Sequence, residues 1–156
     1  LDNLTYAGNL KNLEAVSHFS NYNFIKGDIC DEALIDRLFK EHQFTKVVHF
    51  AAESHVDNSI TGPGAFIQTN IVGTFNLIHS AYRLWMNGPN QLKAGFKNAR
   101  FLHVSTDEVY GSLGKTGLFK ETTSYDPQSP YAASKAASDA IVQGWCKTYD
   151  IKYYIS

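Results

Sequence analysis

Lys46-Val47-Val48-His49-Phe50-Ala51-Ala52 is the stretch on which the fold turns. Its apolar residues run on without the alternation of a half-exposed strand, and it gives way to Glu53 and Ser54. A continuous run of this kind suits a strand of a parallel sheet covered on both faces. Working outward, residues 63–85 read as a long helix carrying Phe66, Ile67, Asn70, Ile71, Thr74, Leu77 and Ile78. On the other side, residues 23–28 read as a short strand closing in a polar turn. Asp31 can cap a following helix whose Leu34, Ile35, Leu38 and Phe39 fall on one face. Residues 87–98 read as a polar loop, 100–105 as a second buried strand, and 111–130 as a long loop rich in Gly, Ser, Thr and Pro. Residues 131–149 read as a helix and 151–155 as the start of another strand. Strand–helix–strand units repeated in this way imply an α/β fold with a doubly wound parallel sheet.

The chain has 156 residues, 44% hydrophobic and 19% charged, with net charge −1. That is enough for one domain with a sizeable core, and nothing draws it toward nucleic acid or an anionic membrane. An anionic small ligand is compatible, because helix N-termini hold phosphate locally. Cys30 and Cys146 form neither a metal pattern nor a disulfide framework, so a reduced cytoplasmic setting is expected. No apolar run reaches the roughly 18 residues of a membrane span, and no signal peptide is visible. The histidines at 18, 42, 49, 55, 79 and 103 have no metal-ligand spacing. His49 and His103 sit inside apolar strands as core residues, whereas His55 follows a strand end and is a candidate to line a site. Asn3-Leu4-Thr5 fits a glycosylation triplet, a pattern common by chance. The sequence opens on Leu1-Asp2 and closes within an apolar run, Tyr153-Tyr154-Ile155-Ser156, and is expected to be an interior part of a longer protein.

In a parallel sheet, ligands bind beyond the carboxyl ends of the strands. Three polar clusters fall there: Asp28, Ala51 to Asp57, and Ser105 to Glu108. Tyr131 and Lys135, four apart near the start of a helix, share one face. An ammonium beside the phenol would lower a pKa that is ordinarily about 10 and let it accept a proton from an alcohol. The bland alternative is a surface tyrosine and a surface lysine. Ser129-Pro130 can start that helix, and Ala132-Ala133-Ser134 would let a cofactor approach closely. Asp107 and Glu108 could simply face solvent or cap a turn. With different surroundings they could act as acid and base for loss of water, with Thr106 bonding the reacting hydroxyl. Asp2 could bind a ribose hydroxyl, Asp28-Ile29 could bracket a ring, and Ala51-Ala52-Glu53-Ser54 would admit a cofactor. Each of these also has a plain turn reading.

The segments Leu4-Thr5-Tyr6-Ala7-Gly8-Asn9-Leu10, Gly27-Asp28-Ile29-Cys30-Asp31 and His49-Phe50-Ala51-Ala52-Glu53-Ser54-His55-Val56-Asp57 appear in order. Ser105-Thr106-Asp107-Glu108-Val109-Tyr110-Gly111 and Ser129-Pro130-Tyr131-Ala132-Ala133-Ser134-Lys135 follow them. Together they resemble the dTDP-glucose 4,6-dehydratase family of extended short-chain dehydrogenases/reductases, across essentially the whole chain. The Tyr-x-x-x-Lys piece is shared with many nucleotide-sugar epimerases; the Thr-Asp-Glu triplet is more specific. The resemblance implies that residues 1–156 are a partial NAD-binding Rossmann-type domain with its catalytic Tyr-x-x-x-Lys helix. It implies removal of the sugar 4-hydroxyl proton by Tyr131 as C4 gives hydride to NAD, then removal of the C5 proton by Glu108. Asp107 would protonate the departing C6 hydroxyl, and hydride would return to C6, giving a 4-keto-6-deoxy sugar on dTDP. Lys135 would tune Tyr131 and hold the nicotinamide ribose. Asp2, Asn3, Leu4, Thr5, Asp28, Ile29, Phe50, Ala51, Ala52, Glu53, Ser54 and Thr69 would contact NAD, with Tyr131 and Lys135. Ser54 and Thr106 would contact the sugar. The resemblance also suggests a homodimer; no metal is expected from the histidine spacing.

Two features depart from the family. Asn58 stands where an arginine usually follows the Val-Asp pair. The family's first strand with its glycine-rich turn, and its C-terminal substrate part, are not in the sequence. Since the first strand lies between the two halves of such a sheet, the two parts present are expected to share no ladder. The 156-residue chain by itself is therefore expected neither to fold stably nor to bind NAD well. The competing readings are another nucleotide-sugar epimerase or decarboxylase on the same scaffold, and a non-catalytic binding protein.

Overall fold

The structure is a computed structural model that describes residues 1–156. Asp31 lies in extended backbone and its Oδ1 accepts the Leu34 N–H at 2.9 Å, which starts helix α1, Glu32–His42. The helix stops at Gln43, in the left-handed region with φ 51°. Ile35, Leu38 and Phe39 form its buried face. Strand β1 is Lys46–His49, and α2 is Val56–Thr61. Gly62 separates α2 from α3, Pro63–Phe66, which runs on through a π-helical turn, Ile67–Gly73, into α4, Thr74–Trp85. The helix expected over 63–85 is thus continuous but widened in its middle, a distortion frequent at functional sites.

The polar loop expected over 87–98 is instead a small hairpin of β2, Met86–Gly88, and β3, Gln91–Leu92. Buried Trp85 and Met86 anchor its base, where the Lys93 N–H donates to the Trp85 carbonyl at 2.8 Å. Strand β4, Arg100–His103, leads into a single 3₁₀ turn, Asp107–Tyr110. Helix α5, Pro130–Tyr149, begins where the Ser129 Oγ accepts the Ala132 N–H at 3.0 Å and Pro130 takes the first position. Strand β5 is Tyr153–Ile155.

The sheet has the order β1-β4-β5 and is parallel throughout, with His49 opposite His103 and His103 opposite Ile155. A parallel sheet with helical crossovers is the Rossmann-type arrangement expected. One core joins α1, α4 and α5 to a single face of it through Ile35, Phe39, Ile78, Trp85, Phe101, Val142 and Cys146. The expectation of two covered faces holds for that face alone. Alternate residues of the strands point the other way, and Val48 and Tyr154 are 54% and 63% exposed. Residues 23–28, expected as a strand, make one parallel bridge, Lys26 with Asp2, and this bridge joins none of the three strands. Between it and the free edge of β1 lies an apolar groove lined by Leu1, Ile25, Leu38, Phe44, Val47 and Val48.

Candidate active site

The carboxyl ends of the strands open into a cleft of about 400 Å³. Asp2, Asn3, Thr5, Asp28, Ile29, Phe50, Ala51, Ala52, Glu53, Ser54 and Thr69 line it, so residues picked out from four separate stretches of sequence converge there. Leu4 does not line it. Its backbone turns through φ 54° and its N–H donates to the Asp2 Oδ1 at 2.7 Å, shaping the approach instead. The second edge is tied down by the Asn3 Nδ2, which donates to the Asp28 Oδ2 at 2.9 Å. His55 is exposed beside Tyr6 and is not among the lining residues. Nor are Tyr131 and Lys135.

Tyr131 stands in the first turn of α5, nearly buried at 9% exposure, with the Phe66 ring edge-on to it at 6.3 Å. Thr106, Asp107 and Glu108 reach it from the end of β4. Burial pushes its phenol up, the neighbouring Thr106 hydroxyl pulls it down, and the Glu108 and Asp107 carboxylates push it up again. The turn that carries both carboxyl groups packs against α5, and their charges bear on the phenol. Glu108 is half-buried and Asp107 exposed, so the two acids do occupy different surroundings. A polar recess lined by Glu108, Gly111, Ser112, Gln128 and Ser129 opens beside them.

The depression of the Tyr131 phenol by Lys135, expected from their spacing, is not found. The Lys135 Nζ is engaged elsewhere, donating to the Val104 carbonyl at 2.6 Å, and burial lowers the pKa of its own ammonium. The free site accordingly holds Tyr131 as a phenol.

The chain matches the family described as GDP-mannose 4,6 dehydratase over residues 1–156. It belongs to that family. A dTDP-glucose 4,6-dehydratase of Xanthomonas campestris pv. campestris is 56% identical over 151 residues, 97% of this chain and 42% of the relative. Among solved structures, DesIV of Streptomyces venezuelae, a dTDP-glucose 4,6-dehydratase with NAD bound, matches with TM-score 0.85 and 43% identity over 99% of this chain. A UDP-glucose 4-epimerase of Thermus thermophilus in complex with NAD matches with TM-score 0.81 and 27% identity, also over 99% of this chain. The chain spans 43% and 44% of those two structures.

Within this member of the GDP-mannose 4,6 dehydratase family, the site rests on polar residues that the sequence reading missed. Asn70, 1% exposed in the π-helical turn, receives the Glu53 N–H on its Oδ1 at 2.8 Å. Its Nδ2 donates to the Glu53 carbonyl and the Ser134 Oγ, each at 2.9 Å. One side chain thereby ties the end of β1 to α5. The Thr74 hydroxyl donates to the Asn70 carbonyl at 2.7 Å and so accepts from the His49 Nε2 at 2.8 Å. Burial, reinforced by His103 and Lys135, lowers the His49 pKa to about 3. The signal that was available is polarity in an apolar register: Asn70 and Thr74 stand among Phe66, Leu77 and Ile78.

Proposed function

We propose that this chain carries the NAD-binding and catalytic part of a dTDP-glucose 4,6-dehydratase. The observation that carries the reading is the meeting of Tyr131 with Thr106, Asp107 and Glu108, a phenol and two carboxyl groups on adjoining elements. The function for which its 56%-identical relative is named supports it. The cleft fits a dinucleotide. The Asp2 carboxylate at its edge suits ribose hydroxyls, and Ala51 and Ala52 leave room for close approach. Asp2, Asn3, Thr5, Asp28, Ile29, Phe50, Glu53, Ser54 and Thr69 would hold NAD, with Lys135 at its nicotinamide end.

A bound nicotinamide would supply the acceptor for the hydride that leaves C4 of the sugar and the donor of the hydride that C6 receives. Tyr131, once its phenol has lost its proton to solvent, takes the proton of the C4 hydroxyl as a phenolate, and Thr106 bonds that oxygen. The C4 ketone acidifies the C5 proton, which the half-buried Glu108 removes and gives back to C5 as hydride reaches C6. Asp107 gives a proton to the C6 hydroxyl, which leaves as water, and Ser54 holds the sugar from the β1 side. A simple epimerase has no need of this acid and base. A homodimer is supported by the outward face of α4 and α5, where Phe75, His79, Tyr82, Trp145 and Tyr149 form a continuous aromatic cluster. No helix is long and apolar enough to cross a membrane. Two thiols that are both free suit the reducing cytoplasm.

The test is incubation of the full-length protein with dTDP-glucose. A 4-keto product absorbing in alkali is expected. Conversion to dTDP-galactose without that absorbance would transfer the chain to the epimerase reading.

A further inference from the structure

The chain buries one lysine, Lys135, and one carboxylate, Asp139, both on α5 and one helical turn apart. The two grip consecutive residues of the chain leaving β4. The Lys135 Nζ donates to the Val104 carbonyl at 2.6 Å. The Ser105 hydroxyl donates to the Asp139 Oδ2 at 2.6 Å, and the Tyr125 hydroxyl, from the long loop, donates to the same oxygen at 2.9 Å. Asp139 is 0% exposed, and isolated burial of a carboxylate would be costly. Charge-assisted hydrogen bonds from two hydroxyls offset that cost and fix where their donors sit. The next residues after Ser105 are Thr106, Asp107 and Glu108.

We propose that Asp139 is a positioning residue, which anchors the Thr106–Glu108 turn against Tyr131 through Ser105. This rests on the function proposed above and adds a residue to it. The groups facing the pair are His49 from β1, His103 from β4 and Tyr125 from the loop. His103 Nε2 lies 3.2 Å from the Asp139 Oδ1, but the geometry there is not that of a hydrogen bond, and the Oδ1 has no partner. That nitrogen pairs with the Ser138 Oγ at 3.0 Å, and the Ser138 hydroxyl donates to the Lys135 carbonyl at 2.8 Å. Burial lowers the pKa of both histidines and keeps them neutral. Burial also lowers the pKa of Lys135, and the Asp139 charge is what opposes it. Removing that charge lets Lys135 lose its proton at lower pH.

The experiment compares full-length wild type with Asp139→Asn in kcat, KM and the pH dependence of kcat on dTDP-glucose. The asparagine keeps shape and loses charge. We expect kcat to fall at least tenfold with KM within about threefold, and the high-pH limb of kcat to move to lower pH. A role confined to stability would lower the melting temperature and leave that limb in place. A folded Asp139→Asn enzyme with wild-type kcat and an unmoved limb overturns the proposal. Should that variant not fold, Ser105→Ala and Tyr125→Phe carry the test, each removing one donor. A severalfold loss of kcat at unchanged KM in either supports the anchor, and wild-type kcat in both overturns it. If the wild type epimerises rather than dehydrates, the function fails on its own, and the same comparison is made on epimerisation.

Discussion

At the residue scale, Tyr131 is held protonated by its burial and by the carboxylates of Glu108 and Asp107. Glu108→Gln removes one of those like charges, so the phenol should ionise more readily. The pH at which sugar oxidation switches on should therefore fall in the variant, as measured by the pH dependence of NADH formation in a single turnover. Gly111 takes φ +86° just after the Asp107–Tyr110 turn, and a Cβ there would lie 2.7 Å from the Asp126 carbonyl oxygen. Gly111→Ala should cost about 1–3 kcal/mol, and more if the clash is not relieved, read as a lower urea midpoint, with kcat reduced because Glu108 shifts. Tyr131, Lys135, Thr106, Asp107 and Glu108 were legible as candidates because each follows a strand end or opens a helix. The direction of the Tyr131 shift was not legible. Four-residue spacing places Lys135 on the same face but does not say that the Val104 carbonyl has already taken its ammonium.

At the element scale, β1, β4, α1 and α5 were legible because apolar runs, helical periodicity and caps at Asp31 and Ser129 all agree. The hairpin over 86–92 was not, since two strands of three and two residues leave no alternation to read. Nor was the π-helical turn, in which one added residue changes no pattern that polarity records. That turn is nonetheless where β1 is fastened to α5. Asn70→Leu keeps the branched shape and leaves the Glu53 N–H, the Glu53 carbonyl and the Ser134 hydroxyl short of their partner. We predict a loss on the order of 2–3 kcal/mol in the full-length protein. NAD affinity should weaken with it, because Glu53 lines the cleft; calorimetric titration reads this.

At the scale of the whole molecule, the buried histidines make stability depend on pH. His49 has a folded pKa of about 3 against 6.5 as a free side chain. The unfolded chain therefore binds the proton first, and stability is lost as pH falls from about 6.5 toward 3. The urea midpoint of the full-length protein should drop over that range, and more shallowly in His49→Asn. The open surfaces of the 156-residue chain also fall into one account. The outer edge of β1 is unpaired, the groove beside it is apolar, and Val48 and Phe50 are 54% and 72% exposed. Unpaired strand edges and exposed apolar surface are unstable in water. The isolated chain is predicted to show no cooperative melt, and calorimetry showing one, with micromolar NAD affinity, would refute this. Sequence alone made the parallel order of the sheet legible. It did not show which sheet face these residues cover, because a continuous apolar run reads the same whether its second face is covered from within the stretch or from outside it.

The most direct measurement of the account is absorbance at 340 nm during a single turnover of dTDP-glucose by full-length Glu108→Gln. With Tyr131 intact and the C5 base removed, oxidation at C4 should proceed and elimination should stall, so that bound NADH accumulates and persists while Tyr131→Phe forms none. Normal turnover by Glu108→Gln, with no lasting NADH, would contradict the joint action of the phenol and the strand-end carboxylate on one sugar.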